Sequence, residues 1–170
     1  GGGTATAMGI KPTRVVRAVR ECIEILKLAA TGKPVRYQGE MFKVGWYNPS
    51  WVRSPPPVIY AGANGPQMLK AMPRFADGVM VSDFVVDHVH SARMIIDESL
   101  RGAGRDPASF PMNNFWAWHV KKTREAAERE ARIWLTVRGT LYPPYINDVL
   151  DPEEAAIVNR HINAFIRAYN

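Results

Sequence analysis

Apolar residues along the chain recur with two different spacings, which predict helices and short buried strands in alternation. Between residues 11 and 32 they follow the spacing of one helix face, at Val15, Val16, Val19, Cys22, Ile23 and Leu26. Pro12 suits the first turn of this helix, and Gly32 suits the C′ position after it. Because Cys22 belongs to the apolar stripe, we expect a packed core thiol rather than a reactive one.

The segment after this helix has the pattern of a small hairpin. "VRYQGEMFKV" (35–44) alternates apolar and polar positions around Gln38-Gly39. Residues 45–57, which include two Trp and four Pro, predict a surface segment with aromatic anchors. We therefore expect 33–57 to form an excursion from a single domain that spans 1–170.

Short apolar segments alternate with amphipathic ones in the rest of the chain. "VIYAG" (58–62) and "VMVS" (79–82) predict strands buried on both faces, and "NNFWAWHV" (113–120) is a third strand candidate. Helices are expected at 66–76, 85–101, 123–135 and 151–169. Thr123 is the expected N-cap of the third, and Asp151 with Glu154 forms a capping box for the last. The alternation predicts an α/β domain with parallel strands and right-handed crossovers.

The loop "AGANG" (61–65) is the first candidate for chemistry. Parallel α/β folds bind ligands at the carboxyl ends of their strands, which is where this loop lies. Its glycines allow close backbone approach, Pro66 suits the first helical turn, and Asn64 or Gly65 suits the N-cap. The pattern predicts a phosphate held by backbone amides of residues 62–67, without a Walker lysine. A tight structural turn is the alternative interpretation.

Composition and charge exclude several classes of function. The 170 residues are 46% hydrophobic and 22% charged, as in an ordinary soluble domain. No apolar run could span a bilayer and there is one cysteine, so we expect a cytoplasmic protein without a membrane partner. The net charge of +6 is scattered among acids, and no nucleic-acid motif accompanies it, so no nucleic-acid partner is expected. His88 and His90 point apart on a helix and make a poor metal pair, so no metal is expected.

Four segments in order resemble the luciferase-like oxidoreductases. "PVIYAGANGPQMLKAMPRFADGVMVS" is similar to a strand–loop–helix–strand motif of that family, and "AVRECIEILKLAATGKPVRYQGEMFKV" is similar to its helix and hairpin. "GAGRDPASF" resembles its helix-ending segment, and "GGGTATAMGIKP" resembles the loop after the fourth barrel strand. The match runs from residue 1 to about 136. It is nearest the deazaflavin branch, which includes methylenetetrahydromethanopterin reductases.

The resemblance implies a (β/α)8 TIM barrel of the luciferase-like type, present in part as about strands five to seven. It also implies coenzyme F420, or alternatively FMN, in the mouth of the barrel. The positions carried over to the cofactor are Gly2, Gly3, Thr4, Ala61, Gly62, Ala63, Asn64 and Gly65. Ser82 and Asp83 would reach the substrate side. The catalytic acid or base is unknown, because the family places it on earlier strands.

Three aromatic side chains near the third strand candidate have two interpretations each. His119 lies near the expected carboxyl end of that strand, so it has either a structural role or a contact with substrate or cofactor. Trp116 and Trp118 alternate along the strand and face one side, either as packing or as an aromatic wall beside the tricyclic ring.

The leading functional hypothesis is an oxidoreductase that transfers a hydride between F420 and a small-molecule carbon substrate, for example a methylene-tetrahydropterin. An FMN-dependent monooxygenase of the same superfamily is the alternative. A non-catalytic phosphate-binding or scaffolding module is a third hypothesis. Exposed edges of a partial sheet favour a homo-oligomer.

Overall fold

The computed structural model describes residues 8–9, 11–135, 146 and 150–169. The chain divides into two compact units, Gly1–Phe115 and Trp116–Asn170. The first contains α1 (Val15–Ala29), β1 (Val35–Gln38), β2 (Lys43–Tyr47), β3 (Tyr60–Gly62), α2 (Pro66–Ala71), β4 (Gly78–Ser82), α3 (Val86–Gly102) and β5 (Met112–Phe115). The second contains α4 (Arg124–Leu135) and α5 (Pro152–Tyr169). Among the described residues, no helix combines the length and the apolar character needed to cross a membrane.

Helix α1 buries a narrower stripe than its sequence predicts. Ile23 is buried, and Val16 and Val19 pack against the same core. Cys22 is exposed, so the prediction of a packed core thiol is wrong. With 3.6 residues per turn, Cys22 shares one edge of the stripe with Val15 and Leu26, and both of these are also exposed. No described element covers that edge.

The ends of α1 also differ from the prediction by a few residues. The helix begins at Val15, so Pro12 precedes the first turn. Its C-cap is Ala30, which places Gly32 one residue beyond C′. Gly32 has φ +72°, a left-handed conformation that glycine adopts without strain, so it still terminates the helix.

Strands β1 and β2 form the predicted antiparallel hairpin, and Glu21 of α1 holds its turn. The buried Glu21 carboxylate accepts the backbone N–H groups of Glu40, Met41 and Phe42 at 3.0, 2.9 and 3.0 Å. Burial by itself raises the pKa of Glu21, but these three hydrogen bonds outweigh it and leave the pKa below its ordinary value. The charged form of Glu21 is therefore the form that attaches the hairpin.

A second carboxylate of α1 binds a side chain of the hairpin. Glu24 accepts the Tyr37 hydroxyl at 2.5 Å and also pairs with Arg20 at 2.7 Å. The hydrogen bond from Tyr37 lowers the pKa of Glu24, and the same bond raises the pKa of Tyr37 to about 12. Because α1 holds both the turn and the first strand, the hairpin is fixed to the unit that contains the parallel sheet.

The three parallel strands are confirmed, in the order β3-β4-β5. The third is shorter than predicted, since its last pair is Ser82 with Phe115. Beyond this pair β4 has turned away, so a longer β5 would have no partner there. Trp116, Trp118 and His119 therefore follow the strand instead of lying in it, and Trp118 is 81% exposed.

The two faces of this sheet have different surroundings. Toward the helices, Ala61, Val79 and Val81 are buried in a core that also contains Leu69, Met72, Ala92, Ile96, Leu100 and Phe110. Each fully buried Val or Leu contributes roughly 1.5–3 kcal/mol through removal from water. On the opposite face, which we call the open face, Met80 is 39% and Phe115 is 52% exposed. Burial on both faces, as predicted for these strands, is therefore not found within the described residues.

The predicted caps of the last two helices are confirmed. The Thr123 hydroxyl accepts the N–H of Ala126 at 3.2 Å at the start of α4. Asp151 accepts the N–H of Glu154 at 2.9 Å, and the Glu154 carboxylate accepts the N–H of Asp151 at 3.3 Å. This reciprocal pair is the capping box expected at the start of α5.

Candidate functional site

The glycine-rich loop lies at the carboxyl end of the parallel sheet, as predicted. Strand β3 ends at Gly62, Gly65 is the N-cap of α2, and Pro66 occupies its first turn. The carboxyl ends of β4 and β5, at Ser82 and Phe115, lie along the same edge because the strands are parallel. We call this edge the rim. Ligands of parallel α/β folds bind at such an edge.

The backbone of Gly62 is accessible within the loop. It is exposed, and a Cβ added to it would meet no atom within 4 Å. The neighbouring Ala61 and Ala63 are each 3% exposed. The backbone at Gly62 can therefore be approached closely by a ligand on the open face.

Not every amide of this loop is available to a ligand. The N–H of Ala63 donates to the Met80 carbonyl at 3.0 Å, which extends the β3–β4 pairing by one residue. The Asn64 side chain is also engaged, through two hydrogen bonds to the backbone of Ser82. The predicted phosphate site is thereby limited to the remaining backbone of residues 62–67, where the N-cap Gly65 provides no side-chain hydrogen bond.

Ser82, Asp83 and Phe84 form the rim segment that follows β4. Asp83 has φ +60°, a left-handed conformation that is uncommon for residues other than glycine. Its N–H donates to the Phe115 carbonyl at 2.9 Å, and its carboxylate accepts the Ser82 hydroxyl at 2.9 Å. Backbone strain of this kind occurs often at functional sites. The structure brings Ser82 and Asp83 together with Asn64 at the rim.

Sequence reasoning missed Asn114, which holds the other side of the rim segment. Its Nδ2 donates to the Phe84 carbonyl at 2.8 Å, and its Oδ1 accepts the Phe84 N–H at 3.3 Å. The Phe84 ring in turn packs edge-on against His88, with ring centroids 5.8 Å apart. Asparagine is depleted in strands, so the pair "NN" at 113–114 in a strand candidate was the sequence signal that could have indicated a side chain with a special role.

The remaining predicted site residues lie either outside the described residues or in the second unit. Gly2, Gly3 and Thr4 lie outside the described residues. His119 belongs to the second unit, where its Nδ1 is 3.6 Å from the Glu130 carboxylate. Lys121 donates a hydrogen bond to the same carboxylate at 2.5 Å, and this bond is the main reason that the pKa of Glu130 is lowered. In the described part of the chain, no three His, Cys, Asp or Glu residues cluster in a way that could hold a metal.

A cleft of about 790 Å³ lies away from the open face, between α1 and α2. Its basic lining residues are Arg14, Arg17, Arg20, Lys70 and Arg74. Glu40 pairs with Arg14 and Arg17 at 2.6 and 3.0 Å, and Arg20 stacks on the Phe75 ring at 4.5 Å. These contacts occupy much of the positive charge, so the cleft is a weaker candidate than the rim.

The sequence of the chain matches the model of a known family. A sequence model of luciferase-like monooxygenases matches residues 2–164. The chain belongs to this family. This chain is 32% identical over 143 residues to the 5,10-methylenetetrahydromethanopterin reductase of Archaeoglobus fulgidus. The aligned region covers 84% of this chain and 43% of that relative. The enzyme of the same name from Methanolobus tindarius is 28% identical over 130 residues, covering 76% and 40%. The chain thus spans less than half the length of these relatives.

The fold is also that of a solved structure. The chain superposes on the coenzyme F420 dependent tetrahydromethanopterin reductase from Methanopyrus kandleri with a TM-score of 0.71 and 24% identity. The likeness covers 91% of this chain and 46% of that one. The luciferase-like α/β fold of the TIM-barrel type, expected from sequence motifs, is therefore confirmed.

Proposed function

We propose that the whole protein to which this chain belongs is an F420-dependent oxidoreductase. It transfers a hydride between F420 and a carbon atom of a small-molecule substrate of the methylene-tetrahydropterin type. The observation that carries this proposal is the likeness to methylenetetrahydromethanopterin reductases over 84% of the chain. The rim supports it, because a ligand site is expected at the carboxyl edge of the sheet.

We further propose that this chain is the fifth-to-seventh-strand part of a (β/α)8 barrel. The open face would then be the interior of the barrel, and the rim would be part of its mouth. Two observations support this: among the described residues the sheet is packed on its helix face while Met80 and Phe115 of the open face are exposed, and one edge of α1 exposes Val15, Cys22 and Leu26. Further strands and helices of the barrel would cover both surfaces.

The residues at the rim fit a deazaflavin coenzyme in a specific way. Gly62 leaves room for close backbone approach, and no side chain caps the first turn of α2. Within the predicted set Ala61, Gly62, Ala63, Asn64 and Gly65, we assign the cofactor contact to the backbone at Gly62 and Gly65, because Ala61 and Ala63 are buried and the Asn64 side chain is bound to Ser82. Asp83 is anionic and would repel the negative tail of F420, which favours a place for Ser82 and Asp83 beside the substrate. When bound, F420 supplies the hydride chemistry, while these residues orient it and exclude water.

Titration of the whole protein with F420 and with FMN tests this assignment. We expect saturable binding of F420, with FMN binding at least about tenfold weaker. The variant Gly62→Ala should weaken F420 binding by placing a methyl group in the space that the coenzyme approaches. Preference for FMN would contradict the assignment.

The alternative is an FMN-dependent monooxygenase, which the family's own description favours. A monooxygenase needs oxygen, whereas hydride transfer to a methylene-tetrahydropterin does not. Substrate-dependent oxygen consumption, measured above the spontaneous oxidation of reduced FMN, therefore separates the two functions. Oxygen uptake coupled to substrate oxidation would support the monooxygenase.

A further inference from the structure

The hydroxyl of Ser82 lies at the end of the middle strand, on the open face. Side chains of a strand alternate between faces, so Ser82 shares a face with Met80, whereas Val79 and Val81 are fully buried on the helix face. Ser82 is itself partly exposed. Its hydroxyl is therefore a polar group at the rim, on the side where the proposed barrel interior would be.

The side chain of Asn64 fixes the backbone of Ser82. Strand β3 pairs with β4 only as far as the Ala63 N–H, which donates to the Met80 carbonyl. Beyond that point the Asn64 side chain makes the hydrogen bonds that another strand residue would make. Its Oδ1 accepts the Ser82 N–H and its Nδ2 donates to the Ser82 carbonyl, both at 3.0 Å. The side-chain amide thus takes the place of a peptide group.

Asp83 fixes the direction in which the hydroxyl of Ser82 donates. Asp83 has a left-handed backbone conformation, and its carboxylate accepts the Ser82 Oγ–H at 2.9 Å. An ionised carboxylate can only accept, and a hydroxyl has a single proton. With that proton engaged, the Ser82 oxygen offers only lone pairs to a ligand on the open face.

We propose that Ser82 is a specificity-determining residue whose hydroxyl accepts a hydrogen bond from a ring N–H of the substrate, and that Asn64 is its positioning residue. The inference rests on the proposed reductase function, because a tetrahydropterin carries such N–H groups. Ser82 would thereby select substrates that carry a hydrogen-bond donor, rather than an acceptor, at one position of the ring. A substrate with a carbonyl oxygen at that position would face the Ser82 oxygen and be rejected.

The test uses the whole protein with reduced F420 and 5,10-methylenetetrahydromethanopterin. We expect Ser82→Ala to raise KM for the pterin about fivefold to tenfold, the effect of one lost neutral hydrogen bond, with F420 affinity unchanged. Ser82→Thr keeps the hydroxyl and should retain a KM near that of the wild type. If Ser82→Ala does not fold, Ser82→Cys serves in its place, because a thiol is a weak acceptor of similar size.

A series of tetrahydropterins, each methylated at a different ring N–H, provides a readout that a purely structural role would not change. One member should bind the wild type about tenfold more weakly than the parent compound, and Ser82→Ala should lose that discrimination.

The positioning role of Asn64 is tested with a matched pair of variants. Asn64→Asp removes the hydrogen bond to the Ser82 carbonyl, and Asn114→Asp removes the same type of bond to the Phe84 carbonyl. We expect Asn64→Asp to raise KM for the pterin more than Asn114→Asp does. Unchanged KM and intact discrimination in Ser82→Ala would overturn the inference. Absence of turnover by the wild type would instead reject the reductase function.

Discussion

Polar side chains complete the backbone pairing at several places where a strand or turn ends. Glu21 binds three N–H groups of the hairpin turn, and Asn64 and Asn114 bind both backbone groups of Ser82 and Phe84. Asp77 does the same at the start of β3, where its carboxylate accepts the Ile59 N–H at 2.9 Å. Where such a group is shielded from water, leaving it unpaired costs about 1–3 kcal/mol, so these side chains stabilise the ends of the strands and the turn that they bind.

The charge on Glu21 leads to a prediction about the hairpin turn. The folded pKa of Glu21 is lowered, so its stabilisation is present above the unfolded value of about 4.3 and is lost as the pH falls through the folded pKa. At pH 7, Glu21→Gln should lower the hydrogen-exchange protection of Glu40, Met41 and Phe42. The difference from the wild type should shrink on acidification below the unfolded value.

Glu24→Gln is the matched control, because Glu24 lies on the same helix and binds Tyr37 rather than the turn. It should leave the protection of the three turn amides close to that of the wild type. Equal loss of protection in both variants would mean that α1, and not the Glu21 carboxylate, holds the turn.

Among the elements of the parallel sheet, substitution by alanine should have different effects on stability at two glycines, Gly78 and Gly62. A Cβ on Gly78 would lie 2.4 Å from the Tyr60 ring, so Gly78→Ala forces that ring to move. We expect a loss of about 1–3 kcal/mol in the free energy of unfolding. Gly62→Ala meets no atom within 4 Å and should change stability by less than about 0.5 kcal/mol.

Urea unfolding of the two variants, together with F420 titration, distinguishes a structural glycine from a ligand-approach glycine. Gly78→Ala should reduce stability, whereas Gly62→Ala should keep stability and reduce F420 affinity. Normal F420 affinity in a stable Gly62→Ala would contradict the assigned contact.

Sequence patterns predicted those elements whose ends are determined locally. The capping box of Asp151 and Glu154 needs only neighbouring residues, and the alternation around Gln38-Gly39 is also a local pattern, although Glu21 binds the turn; both elements are confirmed. The end of β5 depends on where β4 turns away, so 113–120 was too long. Cys22 was misplaced because the width of the buried stripe depends on which elements pack against α1.

Within the site, sequence reasoning located the rim but not the contacts that shape it. The order of strand, glycine loop and helix placed Gly62 and Ser82 at one edge, because parallel strands end together. The contacts of Asn64 with Ser82 and of Asn114 with Phe84 join residues 18 and 30 positions apart. No local pattern specifies pairs at such separations.

In the function proposed above, the whole chain provides one side of a site. One face of its parallel sheet is packed by helices, the other is open, and it spans 43% and 40% of the length of two reductase relatives. A partial barrel accounts for these observations together, since the remaining strands would close the open face. The proposed function therefore requires that F420 binds at the rim of this sheet.

Hydrogen–deuterium exchange of the whole protein, with and without F420, tests that claim most directly. We predict that F420 slows exchange in peptides that cover 61–68, 82–85 and 113–116, which contain the rim. Peptides of the hairpin at 35–47 and of the opposite end of the sheet at 56–59 should not change. Protection at those latter peptides with an unchanged rim would contradict the account.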